Sequence, residues 1–189
     1  MSLDISPAKS ALVLIDLQHG VVAMPLQPRS AETVVQTCHR MAAAFREKGG
    51  QVIYVRVDLA NMQPLAVDQS RVDPDAPPPP PVASEIIPDA GFQQGDLLVT
   101  KRHWGAFGPT GLEHTIKERG IDTIVLGGIA TNFGVESTAR QAVAHGFHVV
   151  VAEDACSSLD AAAHQFAIGT IFPLMARVRT SQEIIDALD

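Results

Sequence analysis

The sequence predicts an α/β fold, a three-layer sandwich in which a mostly parallel six-stranded sheet is covered by helices on both faces. Three observations carry this. Short apolar runs alternate with helix-patterned segments along most of the chain, the order that right-handed βαβ crossovers require. The runs are continuous rather than alternating polar and apolar, as strands buried on both faces are. The chain has 189 residues, 46% of them hydrophobic and only 5% aromatic. That suits a single domain, residues 1–189, with a core of Val, Ile, Leu and Ala.

Residues 11–17 read as the first buried strand, closed by Asp16. A helix follows, with Ser30 as its N-cap and Val34, Val35, Cys38, Met41, Ala42 and Phe45 at helical spacing. Gly49 and Gly50 stop it. Residues 52–57 are the second strand and 97–101 the third. Thr110 and Glu113 have the spacing of a capping box, and Gly120 ends the helix they would start. Residues 123–126 form the fourth strand, and a helix runs from about Asn132, its expected cap, to His145. Residues 148–152 make the fifth strand. Ser157-Ser-Leu-Asp160 then opens a helix that ends or kinks before Pro173. A short sixth strand at 176–179 precedes a second capping box, Thr180 with Glu183, and the terminal helix. The stretch 58–96 breaks this rhythm. It holds Pro74 and the run 77–81, so it reads as extended chain that covers an active rim, meets another subunit, or is simply solvated.

Composition excludes several function classes. A net charge of −7 argues against an electrostatic nucleic-acid binder. No apolar run approaches a membrane span, and Asp16 interrupts the N-terminal run too early for a signal-peptide core. The two cysteines, Cys38 and Cys156, match no metal spacing. A cytoplasmic protein without metal or other cofactor is the expectation.

Chemistry is expected where strands end, because open parallel sheets bind ligands at the carboxyl ends of their strands. Asp16, Lys101 and the glycine-lined turn 127–134 all stand at such ends. A carboxylate directly behind five apolar residues is costly unless paired or used. Separately, Asp16 could cap a loop, Lys101 could be a solvated strand end, and the glycines could serve a tight turn. Together they favour an acid, a base and a helix start whose free N–H groups suit a carboxylate or oxyanion.

Leu-Val-Leu-Ile-Asp16-Leu-Gln18, Lys101-Arg-His-Trp-Gly-Ala-Phe107 and Gly128-Ile-Ala-Thr-Asn-Phe-Gly-Val-Glu-Ser-Thr-Ala139 resemble the three signature blocks of the isochorismatase-like hydrolases, and residues 146–155 are similar to that family as well. The resemblance implies a Rossmann-like six-stranded sheet and a homo-oligomer, dimer or tetramer. It also implies a catalytic Asp16–Lys101 pair, a non-proline cis peptide at Ile129–Ala130, and a small-molecule substrate. In the amidase branch, nicotinamidases included, a nucleophilic cysteine stands where this chain has Gly134. The branch carrying glycine there hydrolyses an enol ether without a covalent step. Some nicotinamidases hold a metal through Asp-x-His after the second strand; Asp58-Leu-Ala60 lacks the histidine, so no metal is expected.

Two mechanisms then stand. In one, a protonated Asp16 donates to a vinyl-ether carbon, the preferred reading. In the other, an ionised Asp16 activates water against an amide or ester. Ile129, Ala130, Thr131, Phe133 and Gly134 would supply the oxyanion and substrate contacts. Gln18, Arg56, Trp104 and Phe107 are possible pocket residues. Cys156, which also follows a strand, could act as an off-position nucleophile in a nicotinamidase-like amidase, although packing is its commoner use. A non-catalytic small-molecule-binding relative that lost the nucleophile is the remaining alternative.

Overall fold

The structure, a computed structural model, describes residues 3–70 and 75–188. In chain order the regular elements are β1 (Ser10–Ile15), α1 (His19–Val22), α2 (Ala31–Glu47), β2 (Gln51–Val57), β3 (Leu97–Lys101), α3 (Leu112–Glu118), β4 (Thr123–Ile129), α4 (Glu136–Ala144), β5 (His148–Ser157), α5 (Ala161–Phe166), β6 (Arg177–Arg179) and α6 (Ser181–Asp186). The six strands form one sheet in the order β3-β2-β1-β4-β5-β6, with every pairing parallel. Strand order reverses between β1 and β4, the place where such sheets hold ligands.

Period-two alternation in β1 sends Leu12 and Leu14 to one face and Ala11, Val13 and Ile15 to the other, all fully buried. The first face packs against Val34, Val35, Cys38, Met41, Ala42 and Phe45 of α2, the stripe that the sequence spacing predicts, and against Ile184 of α6. The second packs against Leu112 and Ile116 of α3 and Ala139 and Ala142 of α4. Ser30 caps α2 by accepting from the Thr33 N–H, and Thr180 with Glu183 forms the complete capping box of α6.

Four expectations need correction. Thr110 and Glu113 make no capping box: α3 starts two residues after Thr110 behind a left-handed Gly111, and Glu113 instead pairs with Lys117 and His145. The helix placed from Asn132 begins as a π-helical turn, Thr131–Val135, and becomes α-helical at Glu136; Asn132 does not cap it. The fourth strand continues through both glycines to Ile129, and the fifth runs on to Ser157 past an irregularity in its pairing with β4. Ser157 therefore ends the strand, Ser158 forms a β-bridge with Gln27, and Asp160 caps α5.

Short 3-10 turns at Leu59–Asn61, Pro81–Ser84 and Pro88–Ala90 punctuate the proline-rich excursion; Pro74 lies outside the described residues. Both ends of the excursion are fastened at the carboxyl rim of the sheet. Asp58 N–H donates to Lys101 O, while Ile87 N–H donates to Leu17 O and His19 N–H to Glu85 O.

Candidate active site

Asp16 leaves β1 in the left-handed region, with φ 54°, alone among the described non-glycine residues. Aspartate tolerates this conformation better than most L-residues, and there it redirects the carboxylate over the strand end. Its N–H still donates to Val55 O at 2.8 Å, so the backbone stays pinned to β2 while the side chain turns away.

Gly128 makes this approach possible. It has φ 118°, and a Cβ on it would stand 2.2 Å from Ile15 O and 2.6 Å from Ile15 N. The close approach of β4 to the end of β1 therefore requires glycine at this position.

Lys101 comes from β3, which is not a neighbour of β1: β2 lies between them. Three adjacent strands are thus not needed, because the long lysine side chain crosses the end of β2. Its Nζ lies 2.8 Å from Asp16 Oδ2, and both residues are buried, 2% and 7% exposed. Nζ also donates to Trp104 O. Two of the three ammonium donors are thereby spent among the described residues. Asp16 Oδ1, also buried, has no hydrogen-bond partner there.

Burial pushes the Asp16 carboxyl above its ordinary value, and the Lys101 charge and hydrogen bond offset only part of that. The pair thus combines an acid inclined to hold its proton with one unspent ammonium donor.

Gly134 closes the constellation. A Cβ built on it would lie 3.1 Å from both Asp16 Oδ2 and Lys101 Nζ, and 2.9 Å from Ile15 Cγ2. A side chain at 134 would press against the acid–base pair.

Cis peptide bonds occur at Ile129–Ala130, as the resemblance implies, and at Gln27–Pro28. Phe133 and Val135 N–H both donate to Ala130 O, so neither amide is left to bind an oxyanion. Phe133 contributes its ring instead, edge-on to Trp104 with centroids 5.1 Å apart; Trp104 is half exposed.

Other expected pocket residues are employed elsewhere. Phe107 is fully buried, between His145 and Phe147, and belongs to the core. The buried Gln18 amide donates to Val57 O and Ala83 O and accepts from Val57 N–H. It clasps β2 and the excursion together and keeps no donor for a ligand. Arg56 donates to Thr100 Oγ1 beside it on the edge strand. Cys156 is fully buried within β5, its thiol pushed up to about 12 by burial; a nucleophile needs the opposite shift and access.

Sequence reasoning missed the residues that hold the turn. Thr138 Oγ1 donates to Gly134 O and accepts from Ala106 N–H, and Gln141 accepts from Phe107 N–H, so α4 clamps both the turn and the loop after β3. The available signal was a polar residue on an apolar helical stripe, Thr138 beside Ala139 and Ala142. Grooves elsewhere lie at the opposite end of the sheet, around the starts of β1 and β2 and of β4 and β5, remote from the Asp16–Lys101 pair. Among the described residues no cluster suited to a metal ion occurs, and no helix is long and apolar enough to cross a membrane.

Residues 10–183 match the family model of the isochorismatase domain. The chain belongs to the isochorismatase family. It is 45% identical to the uncharacterised isochorismatase family protein YecD of Escherichia coli O157:H7, over 98% of this chain and all of that one. A solved isochorismatase family protein from Burkholderia thailandensis superposes with a TM-score of 0.85 at 41% identity, covering 100% of this chain and 99% of the other. The maleamate amidohydrolase of Pseudomonas putida is 25% identical over 95% of this chain and 87% of its own length. The family assigns the chain to the hydrolases.

Proposed function

We propose that this isochorismatase-family hydrolase cleaves a small-molecule enol ether by acid catalysis from Asp16, with no covalent enzyme intermediate. The observation that supports this reading is Gly134 at the buried pair: glycine offers no thiol for a covalent step, and its backbone lies directly against the acid and the ammonium.

In the first step the Asp16 carboxyl transfers its proton to the terminal vinyl carbon, and the ether oxygen delocalises the resulting cation. Water then adds to the cationic carbon. Its proton returns to the Asp16 carboxylate, and the hemiketal collapses to a ketone and an alcohol. One water is consumed and the acid is regenerated. Lys101 offsets the charge left on Asp16 after proton transfer, and its remaining donor suits a substrate carboxylate. The Trp104–Phe133 pair supplies an apolar wall, and the amides of the turn from Ala130 to Gly134 that are not already spent suit the substrate's anionic end.

Amide hydrolysis is the second reading, favoured by the amidohydrolase among the relatives; Asp16 would then be ionised and activate water. A panel of enol ethers, esters and amides discriminates. Release of a ketone from the enol ethers alone supports the proposal, and release of ammonia from the amides replaces it.

We assign the protein to the cytoplasm and to a homo-oligomer, dimer or tetramer, supported by exposed apolar residues such as Trp104, Phe166 and Leu174. Light scattering on the purified protein tests the assembly.

A further inference from the structure

Behind the turn, on the side away from the Asp16–Lys101 pair, lies a buried polar chain that the proposed chemistry does not use. His164 of α5 is 2% exposed. Its Nδ1 is 2.8 Å from Thr131 Oγ1, and its Nε2 is 3.3 Å from Arg29 Nη1. Arg29 is itself locked to the end of β5. Its N–H donates to Ser157 Oγ at 3.2 Å, Ser157 Oγ donates to Arg29 O at 2.8 Å, and Nη1 reaches Cys156 O at 3.5 Å. The neighbouring Gln27 and Ser158 exchange both backbone hydrogen bonds, at 2.7 and 2.8 Å.

Donor counting fixes the protons. A guanidinium only donates, so His164 Nε2 must accept. The neutral ring then carries its hydrogen on Nδ1 and donates it to Thr131 Oγ1. Burial and the adjacent Arg29 charge both disfavour the imidazolium, in keeping with this arrangement.

Thr131 is fully buried and opens the π-helical turn directly after Ala130. The next residue, Asn132, accepts from Ser158 Oγ. The turn is therefore held at its first two residues from α5 and from the residue after β5, and two residues further on it rests against the pair through Gly134. Ala130–Gly134 bridges an anchored network and the reacting groups.

We propose that His164 and Arg29 are positioning residues for the active site: the guanidinium fixes the imidazole with its hydrogen on Nδ1, the imidazole holds Thr131, and Thr131 sets where the Gly134 backbone meets Asp16 and Lys101. The catalytic consequence rests on the proposed role of Asp16, whereas the network itself is testable without turnover. Misplacing a reacting group by about 1 Å costs on the order of 100-fold in rate, so loosening the turn is expected to lower kcat by about 10- to 100-fold while leaving KM within about threefold.

The experiment combines imidazole 15N NMR with 13C titration of the Asp16 carboxyl. The wild type is expected to show His164 as the Nδ1–H tautomer at neutral pH, and Arg29→Met to show mixed tautomers. In His164→Phe the Asp16 titration shifts and kcat falls. In His164→Asn, whose amide keeps a donor toward Thr131, both return most of the way. Thr131→Val, which removes only the hydroxyl, is expected to reproduce His164→Phe, guarding against misfolding of the larger change. An Nε2–H tautomer in the wild type, or an unmoved Asp16 titration in both His164→Phe and Thr131→Val, overturns the proposal. Full turnover in Asp16→Asn with these NMR results intact would instead remove the acid mechanism and leave the positioning network standing.

Discussion

Placing a methyl group on Gly134 tests the contact on which the acid mechanism rests. Gly134 lies in a helical turn outside the positive-φ glycines, so alanine meets no backbone barrier there. Conformational entropy alone would favour alanine by roughly 0.5–1 kcal/mol. Against this, the new Cβ would stand 2.9 Å from Ile15 Cγ2 and 3.1 Å from Asp16 Oδ2 and Lys101 Nζ. All three neighbours are buried, and Lys101 of the pair is tied to Trp104 O, so relief requires moving the pair or the turn. Overpacking of this kind costs about 1–3 kcal/mol. The net loss is then up to about 2.5 kcal/mol, or a Tm lower by up to about 10 °C for a chain of this size. Activity is expected to fall much further, by about 100-fold, because the displaced atoms are the reacting ones. Gly134→Cys adds the same Cβ and a thiol; it is expected to lose turnover too and not to gain amidase activity. Calorimetry and steady-state kinetics on both variants decide. Gly134→Ala with unchanged Tm and unchanged kcat would refute the reasoning.

Further predictions follow from the same geometry. Asp16→Asn is expected to abolish turnover with the fold retained by circular dichroism, since the amide keeps the shape but cannot donate a proton to carbon. Lys101→Met removes the group that holds the Asp16 carboxyl down, so the alkaline limb of the pH–rate profile should move to higher pH. Lys101→Met should also lower kcat, as read by stopped assays across pH. His164, held at about 4 against its usual 6.5, is neutral in the fold and binds its proton more readily when unfolded. Stability should therefore fall as pH drops from about 6.5 toward about 4, and His164→Asn should flatten that part of a Tm-versus-pH curve. Cys156→Ser is expected to keep full activity, because the thiol is buried in β5; loss of turnover would reinstate a cysteine mechanism.

The sequence alone showed the strands, the helix stripes and the two partners of the buried pair, because buried runs, caps and strand-end polar residues are local patterns. What it hid was non-local. The crossing of β2 by Lys101 depends on sheet order. The engagement of Gln18 by Val57 and Ala83 depends on where the excursion returns. Thr110 and Glu113 had the spacing of a cap, but Gly111 in the left-handed region started the helix instead. Phe107 and Trp104, three residues apart, read alike in sequence, yet one lies in the core and the other at the surface. His164 was legible only as a polar residue beside a run of alanines; its link to Thr131 spans two elements and could not be read from spacing.

Turnover of an enolpyruvyl ether in D2O tests the acid mechanism most directly. The account predicts a ketone whose methyl carries one deuterium, delivered to carbon, with the alcohol keeping its own oxygen and the rate vanishing in Asp16→Asn. Oxygen from 18O-labelled solvent appearing in the alcohol, or equal turnover in Asp16→Asn, would contradict it.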